Sequence, residues 1–90
     1  ELVTLMVSAP CKMLGLTTKG VIATHYDADL TIIEPDIDGV INRSLLLSKA
    51  KWSPFEGIKV KGRVFATIVN GNMVYKDGHI VEGHYGKNVI

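Results

Sequence analysis

Val64-Phe65-Ala66-Thr67-Ile68-Val69-Asn70-Gly71-Asn72-Met73-Val74-Tyr75 is two apolar runs joined by Asn-Gly. A type I′ turn needs positive φ at both central residues, and Asn followed by Gly enters that region most readily. The spacing predicts a strand over 64–69 that Asn70-Gly71 folds back into Met73-Val74-Tyr75. Asp77-Gly78 repeats the turn chemistry before His79-Ile80-Val81.

Working upstream, Ile58 to Gly62 reads as extended, and Trp52 to Gly57 as a loop fixed by Pro54. Leu45-Leu46-Leu47 fits either strand or helix. Leu30-Thr31-Ile32-Ile33 is a nearly continuous apolar run, which predicts a strand buried on both faces. Glu34-Pro35-Asp36 is expected to end it, Asp38-Gly39 to turn the chain, and Val40-Ile41 to open another short strand. Val21-Ile22-Ala23 reads as a short extended piece. His25-Tyr26-Asp27-Ala28-Asp29 is a turn-rich link, with short aspartates that bond neighbouring backbone. Asp29 is placed to hold the chain as it enters Leu30, and Arg63 to reach a nearby carboxylate.

At the N-terminal end, Leu2, Val3, Met6 and Val7 share one side of a helix. Ser8-Ala9-Pro10 is expected to restart it, with Ser8 or Ala9 as the cap and Pro10 in the first turn, where a missing N–H costs nothing. Gly15 is a natural left-handed stop. The fold class is thus mostly β with one or two short N-terminal helices and about five strands. The tail from Glu82 to Ile90 is polar and glycine-bearing, and is expected to be weakly ordered unless docked.

Bulk properties narrow the function classes. Ninety residues make one small domain or part of a larger one. Yet 47% of them are apolar and the mean hydropathy is +0.22, which predicts a face buried against something else. The net charge of +1 gives no reason to expect nucleic acid or an anionic membrane as partner. The single cysteine, Cys11, excludes an internal disulfide and suits a reducing cytoplasm. The apolar runs are far too short for a membrane-spanning helix, and Glu1-Leu2-Val3-Thr4 is unlike a signal peptide; it reads as though cut from a helix.

The ordered segments resemble one family. Ser8-Ala9-Pro10-Cys11-Lys12-Met13-Leu14-Gly15-Leu16 is similar to the last barrel helix of cyclic amidohydrolases, with Pro10, Lys12, Gly15 and Leu16 keeping the pattern. Tyr26-Asp27-Ala28-Asp29-Leu30 resembles the Gly-x-Asp-Ala-Asp-Leu signature of that superfamily, although His25 stands where many members carry Gly. Ala50-Lys51-Trp52-Ser53-Pro54-Phe55-Glu56-Gly57 leans toward dihydroorotases, and more loosely toward allantoinases and hydantoinases. The resemblance covers roughly residues 2–81 and rests on order and spacing more than on any single piece.

The resemblance implies a parent enzyme with a distorted (β/α)₈ barrel and a small β-sandwich. Residues 1–16 would be the last barrel helices, 17–82 the C-terminal share of the sandwich, and 83–90 a tail. The missing barrel and N-terminal strands would be its partners. The parent would reversibly hydrolyse dihydroorotate to N-carbamoyl-aspartate with zinc-activated hydroxide, in pyrimidine synthesis, with all metal ligands upstream of this chain. The chain alone is expected to be inactive. Asp27, Ala28, Asp29, Ser53, Pro54, Phe55, Gly57, Asn70 and Gly71 are then structural motif residues. The rival readings are a fragment of an allantoinase or hydantoinase, whose parent opens a different cyclic amide, and a free-standing β-rich interaction domain that forms a homo-oligomer through its apolar face.

No residue set in the chain itself reads as catalytic, metal-binding or substrate-binding. No His-x-His pair exists, and His25, His79 and His84 fall in turns. Cys11 has no histidine near it in sequence and reads as a small buried helix residue. Asp36 and Asp38 lack the Gly and terminal Glu of a calcium loop. Lys49, Lys51 and Trp52 read as a solvated loop with a packed Trp.

Overall fold

The computed structural model describes residues 1–89. Four strands form one antiparallel sheet in sequence order: β1 (Leu30–Val40), β2 (Lys59–Val69), β3 (Asn72–Lys76) and β4 (His79–Ile80). Both expected turns close it. Asn70 and Gly71 have φ of 49° and 80°, and Asp77 and Gly78 have 46° and 85°. Positive φ at both central residues carries the right-handed twist of the flanking strands through a two-residue loop.

The sheet is simpler than the sequence suggested. Extended residues 58–62 and the strand over 64–69 are one strand, running through Gly62 at φ 102°. Pro35 does not end β1. It sits at an irregularity between Glu34 and Asp38, where the ladder to β2 breaks and resumes. Proline is tolerated there because an edge strand at a bulge needs no N–H on its open side. Val40 is therefore the end of β1 and not a new strand. Val21–Ala23 has no ladder partner, and Arg43–Leu45 is a single 3₁₀ turn whose entry is capped by the Asn42 side chain accepting from the Ser44 N–H at 3.0 Å.

The helical segment also departs from expectation. A π-type turn (Thr4–Ser8) passes straight into helix α1 (Ala9–Met13) with no break. Ser8 is helical and caps nothing, and its hydroxyl donates instead to the Gly20 carbonyl at 3.2 Å. Widening the turn before Pro10 accommodates a residue with no N–H to give. The C-terminus ends as read. Gly15 takes φ 70°, its N–H donates to Lys12 at 3.2 Å, and the Leu16 N–H donates to Cys11 at 2.9 Å. These are the paired bonds of a Schellman stop.

A second bulge, between Ile32 and Ile33, sorts the side chains. Leu30 and Ile32 pair with Ile68 and Ala66, while Thr31 and Ile33 pair with Thr67 and Val64. Ala66 alone is fully buried among the described residues. The expectation that Leu30–Ile33 is covered on both faces is not met within the chain, since Ile32 and Ile33 remain 43% and 57% exposed. Both sheet edges are open among the described residues.

Two magnitudes measure the shortfall. The accessible surface is 7658 Å², whereas a folded monomer of this mass exposes about 5,200 Å². The radius of gyration is 15.2 Å against about 12 Å for a compact domain of this length. The excess of roughly 2,500 Å² exceeds what one partner contributes to an ordinary protein interface.

Gly20 is the tightest joint between α1 and the following loop. A Cβ there would lie 3.0 Å from the Cys11 Cβ, at φ 101°. Gly20→Ala is expected to lower stability by about 1–3 kcal/mol through strain and overlap, read as a drop in the urea midpoint; an unchanged midpoint would show that the loop shifts freely.

Candidate functional site

The polar centre of the molecule is a clamp that joins three segments distant in sequence. The loop after α1 supplies Thr18 and Lys19, the turn before β1 supplies Asp27 and Asp29, and the β2–β3 turn supplies Asn70 and Gly71. Thr18 Oγ1 donates to Asp27 Oδ2 at 2.9 Å, and the Asp27 N–H donates back to the Thr18 carbonyl at 2.8 Å. Lys19 Nζ lies 3.1 Å from Asp27 Oδ2 and bonds Asp29 Oδ2 as well. The other Asp29 oxygen accepts the Asn70 N–H at 2.8 Å. The Gly71 N–H donates to the Ala28 carbonyl at 3.0 Å, and the Asn70 side chain donates to the Tyr85 carbonyl.

These contacts shift the charges in a consistent sense. The Asp27 carboxyl is held below its ordinary value by the Thr18 hydroxyl and then by Lys19. The Asp29 carboxyl is lowered by Lys19 and then by the Asn70 N–H. The Lys19 ammonium is raised by Asp29 and then Asp27. Each ionised form is thus the one the fold prefers.

Beside the clamp lies an open cleft of about 330 Å³, lined by Gly15, Leu16, Lys19, Asp27, Asn70 and Lys87 among others. The clamp does not fit a metal ion. Lys19 occupies the side on which the two carboxylates converge, and a cation there repels a second one. No group of three or more His, Cys, Asp or Glu side chains suited to a metal is found among the described residues.

Of the motif residues, Asp27, Ala28, Asp29, Asn70 and Gly71 meet in this clamp. Ser53, Pro54, Phe55 and Gly57 lie at the opposite end of the β1–β2 ladder, where the Gly57 N–H donates to the Ile41 carbonyl at 2.7 Å. Ser53 Oγ accepts from the Phe55 N–H at 3.1 Å, and Arg43 pairs with Glu56 at 3.3 Å. Trp52 is not packed as expected; it is 60% exposed among the described residues. Arg63 meets Glu34 at 2.9 Å and Asp77 at 3.0 Å, tying β1, β2 and the β3–β4 turn. The sequence reading missed Thr18, Lys19 and Tyr85. Their only signal is the unpaired charge of Asp27 and Asp29, which calls for a cation without saying which.

The arrangement of this chain is similar to that of solved enzyme structures. The L-hydantoinase (dihydropyrimidinase) of Arthrobacter aurescens superposes with a TM-score of 0.83 at 36% identity, over 90% of this chain and 18% of that one. The amidohydrolase family model matches residues 1–74, and the chain belongs to that family. It is 39% identical over 80 residues to a dihydroorotase of Methanothermobacter thermautotrophicus, covering 89% of this chain and 19% of that protein. It is 39% identical over 71 residues to an allantoinase of Desulfitobacterium hafniense, covering 79% of this chain and 16% of that protein. The chain thus spans less than a fifth of the length of these relatives.

The clamp's contribution has a defined pH window. The two carboxylates have lowered values, so their stabilisation is present above the ordinary carboxylate range and is lost as pH falls through the lowered values. Lys19 is raised, so its share is present below the ordinary lysine range and is lost as pH rises beyond it. A melting temperature flat near neutrality and falling at both extremes is expected, with the acid fall weakened in Asp29→Ala. That variant should cost about 1–2 kcal/mol near neutral pH; a loss that does not change between neutral and acid pH would refute the assignment.

Proposed function

We propose that the chain is the C-terminal part of a cyclic-amide hydrolase, and that the parent protein is a dihydroorotase. The carrying observation is the 39% identity to a dihydroorotase across 89% of the chain. The Trp52-Ser53-Pro54-Phe55-Glu56-Gly57 form points the same way. On this reading the parent opens the dihydroorotate ring to N-carbamoyl-aspartate in pyrimidine synthesis, in the cytoplasm. Zinc-activated hydroxide would be the nucleophile, with every ligand outside this chain. No described helix is long and apolar enough to cross a membrane.

The role of these residues is then structural. Residues 1–16 end a barrel, 17–82 form the C-terminal share of a β-sandwich, and 83–90 are its tail. Ile90 lies outside the described residues. The surface excess, the open edges of β1 and β4, and the exposed Ile33, Val64 and Ile80 are what supports a cover supplied by the rest of the parent. A free-standing interaction domain would have to cover the same surface by self-association.

A hydantoinase is the second reading, favoured by the structural match to L-hydantoinase. The deciding experiment is ring opening by the full-length protein, with dihydroorotate, hydantoin and allantoin compared by kcat/KM. Dihydroorotate is expected to lead by more than about tenfold, the least margin that a difference of one small group in the substrate gives. A lead for either other ring would replace the assignment. The 90-residue chain alone is expected to show no turnover and to self-associate in sedimentation; a clean monomer without dye-binding apolar surface would count against the covered face.

A further inference from the structure

The Asn70-Gly71 turn carries a chemistry that neither the family nor the fold assigns. Asparagine followed by glycine is the pair most prone to cyclise, because glycine leaves its backbone nitrogen unobstructed. Among the described residues, apart from its neighbours Asn70 and Asn72, nothing lies within 4 Å of where a Gly71 Cβ would stand. The reaction is fully balanced by water. The Gly71 nitrogen loses its proton and attacks the Asn70 Cγ, the Cγ–Nδ2 bond breaks and ammonia leaves, forming a five-membered imide. Water then opens either imide carbonyl, giving aspartate or isoaspartate at position 70.

Three hydrogen bonds of the clamp oppose this. The Gly71 N–H, whose loss starts the reaction, is held by the Ala28 carbonyl at 3.0 Å. A bond to the protonated form disfavours its ionisation. The Asn70 amide is held by the Tyr85 carbonyl, which fixes the carbon under attack. The Asn70 N–H is anchored on Asp29 at 2.8 Å, which fixes the turn itself. Asn42, Asn72 and Asn88 precede Arg43, Met73 and Val89, whose side chains shield the next nitrogen.

We propose that Asn70 is a masked deamidation site: closed by the clamp, reactive when the clamp opens, and destructive of the clamp once converted. The product carboxylate has no proton to give the Tyr85 carbonyl and brings a third negative charge beside Asp27 and Asp29. An isoaspartate also lengthens the backbone inside a turn that admits two residues. A local opening event therefore becomes a permanent one.

The test is a time course of acid and isoaspartate formation at each asparagine by peptide mapping, on the full chain in native buffer and in urea. In urea, position 70 should convert faster than 42, 72 and 88. In native buffer it should convert at least about tenfold more slowly than in urea, as for an amide freed only by local opening. Asp29→Ala should raise the native rate at position 70 and leave the other three unchanged. Equal native and urea rates at position 70, or a urea rate no higher than at the other asparagines, would overturn the proposal. An Asp29→Ala rate equal to wild type in native buffer would overturn the protective role of the clamp. If Asp29→Ala does not fold, its native-buffer rates match urea at all four sites, and the wild-type comparison decides alone.

Discussion

The pairing of Lys19 with Asp27 and Asp29 is the constraint on which the arrangement of this molecule depends. The helical segment and the sheet share no packed interface; they communicate through the loop that Gly20 docks on Cys11 and that Thr18 and Lys19 tie to the Asp turn. Asp29 passes the connection to the Asn70 N–H, and Asn70 passes it to Tyr85. Exposed ion pairs contribute little singly. Here each carboxylate also accepts from a hydroxyl or a backbone N–H, so the network fixes geometry where only Ala66 is fully buried among the described residues.

A fold of this kind inverts the usual division of labour. Most small domains are set by burial and trimmed by polar contacts. Here one alanine is fully buried among the described residues, and the sheet is defined by ladder bonds, two tight turns and the Arg63 pairs. On the proposed reading the faces and edges of such a sheet are completed by other parts of a larger body, in keeping with relatives of which this chain covers less than a fifth.

What could be read from sequence follows from how local its cause is. The Asn70-Gly71 and Asp77-Gly78 turns, the Gly15 stop and the β2 and β3 strands each depend on a few neighbouring residues, and each was legible. The path of β1 through Pro35 was not, because a proline's cost depends on whether its missing N–H would have faced a partner. Nor was the role of Ser8, whose hydroxyl serves a loop twelve residues away and not its own helix. The two aspartates of the clamp read as turn residues that bond neighbouring backbone, but Lys19 was invisible as their counter-ion, since nothing in spacing connects an eight- or ten-residue separation across irregular chain. The exposure of Trp52 and of Leu30–Ile33 was misjudged for one reason: apolar pattern reports that a face wants cover, not whether the cover lies in the same stretch of sequence.

The two-residue turns have a consequence for where this chain is free to vary. Positions 70, 71, 77 and 78 all require positive φ, so few residue types fit and none can be added without unpairing Val69 from Asn72 or Lys76 from His79. The connection between β1 and β2 is under no such restriction. It leaves and re-enters the ladder through Ile41, Gly57 and Ile58, and lengthening a surface loop costs only slowly more entropy. Insertions and deletions are therefore accommodated most readily at residues 46–49, between the Asn42-capped turn and the Ala50–Gly57 stretch, while the other two crossings of the sheet are closed to them.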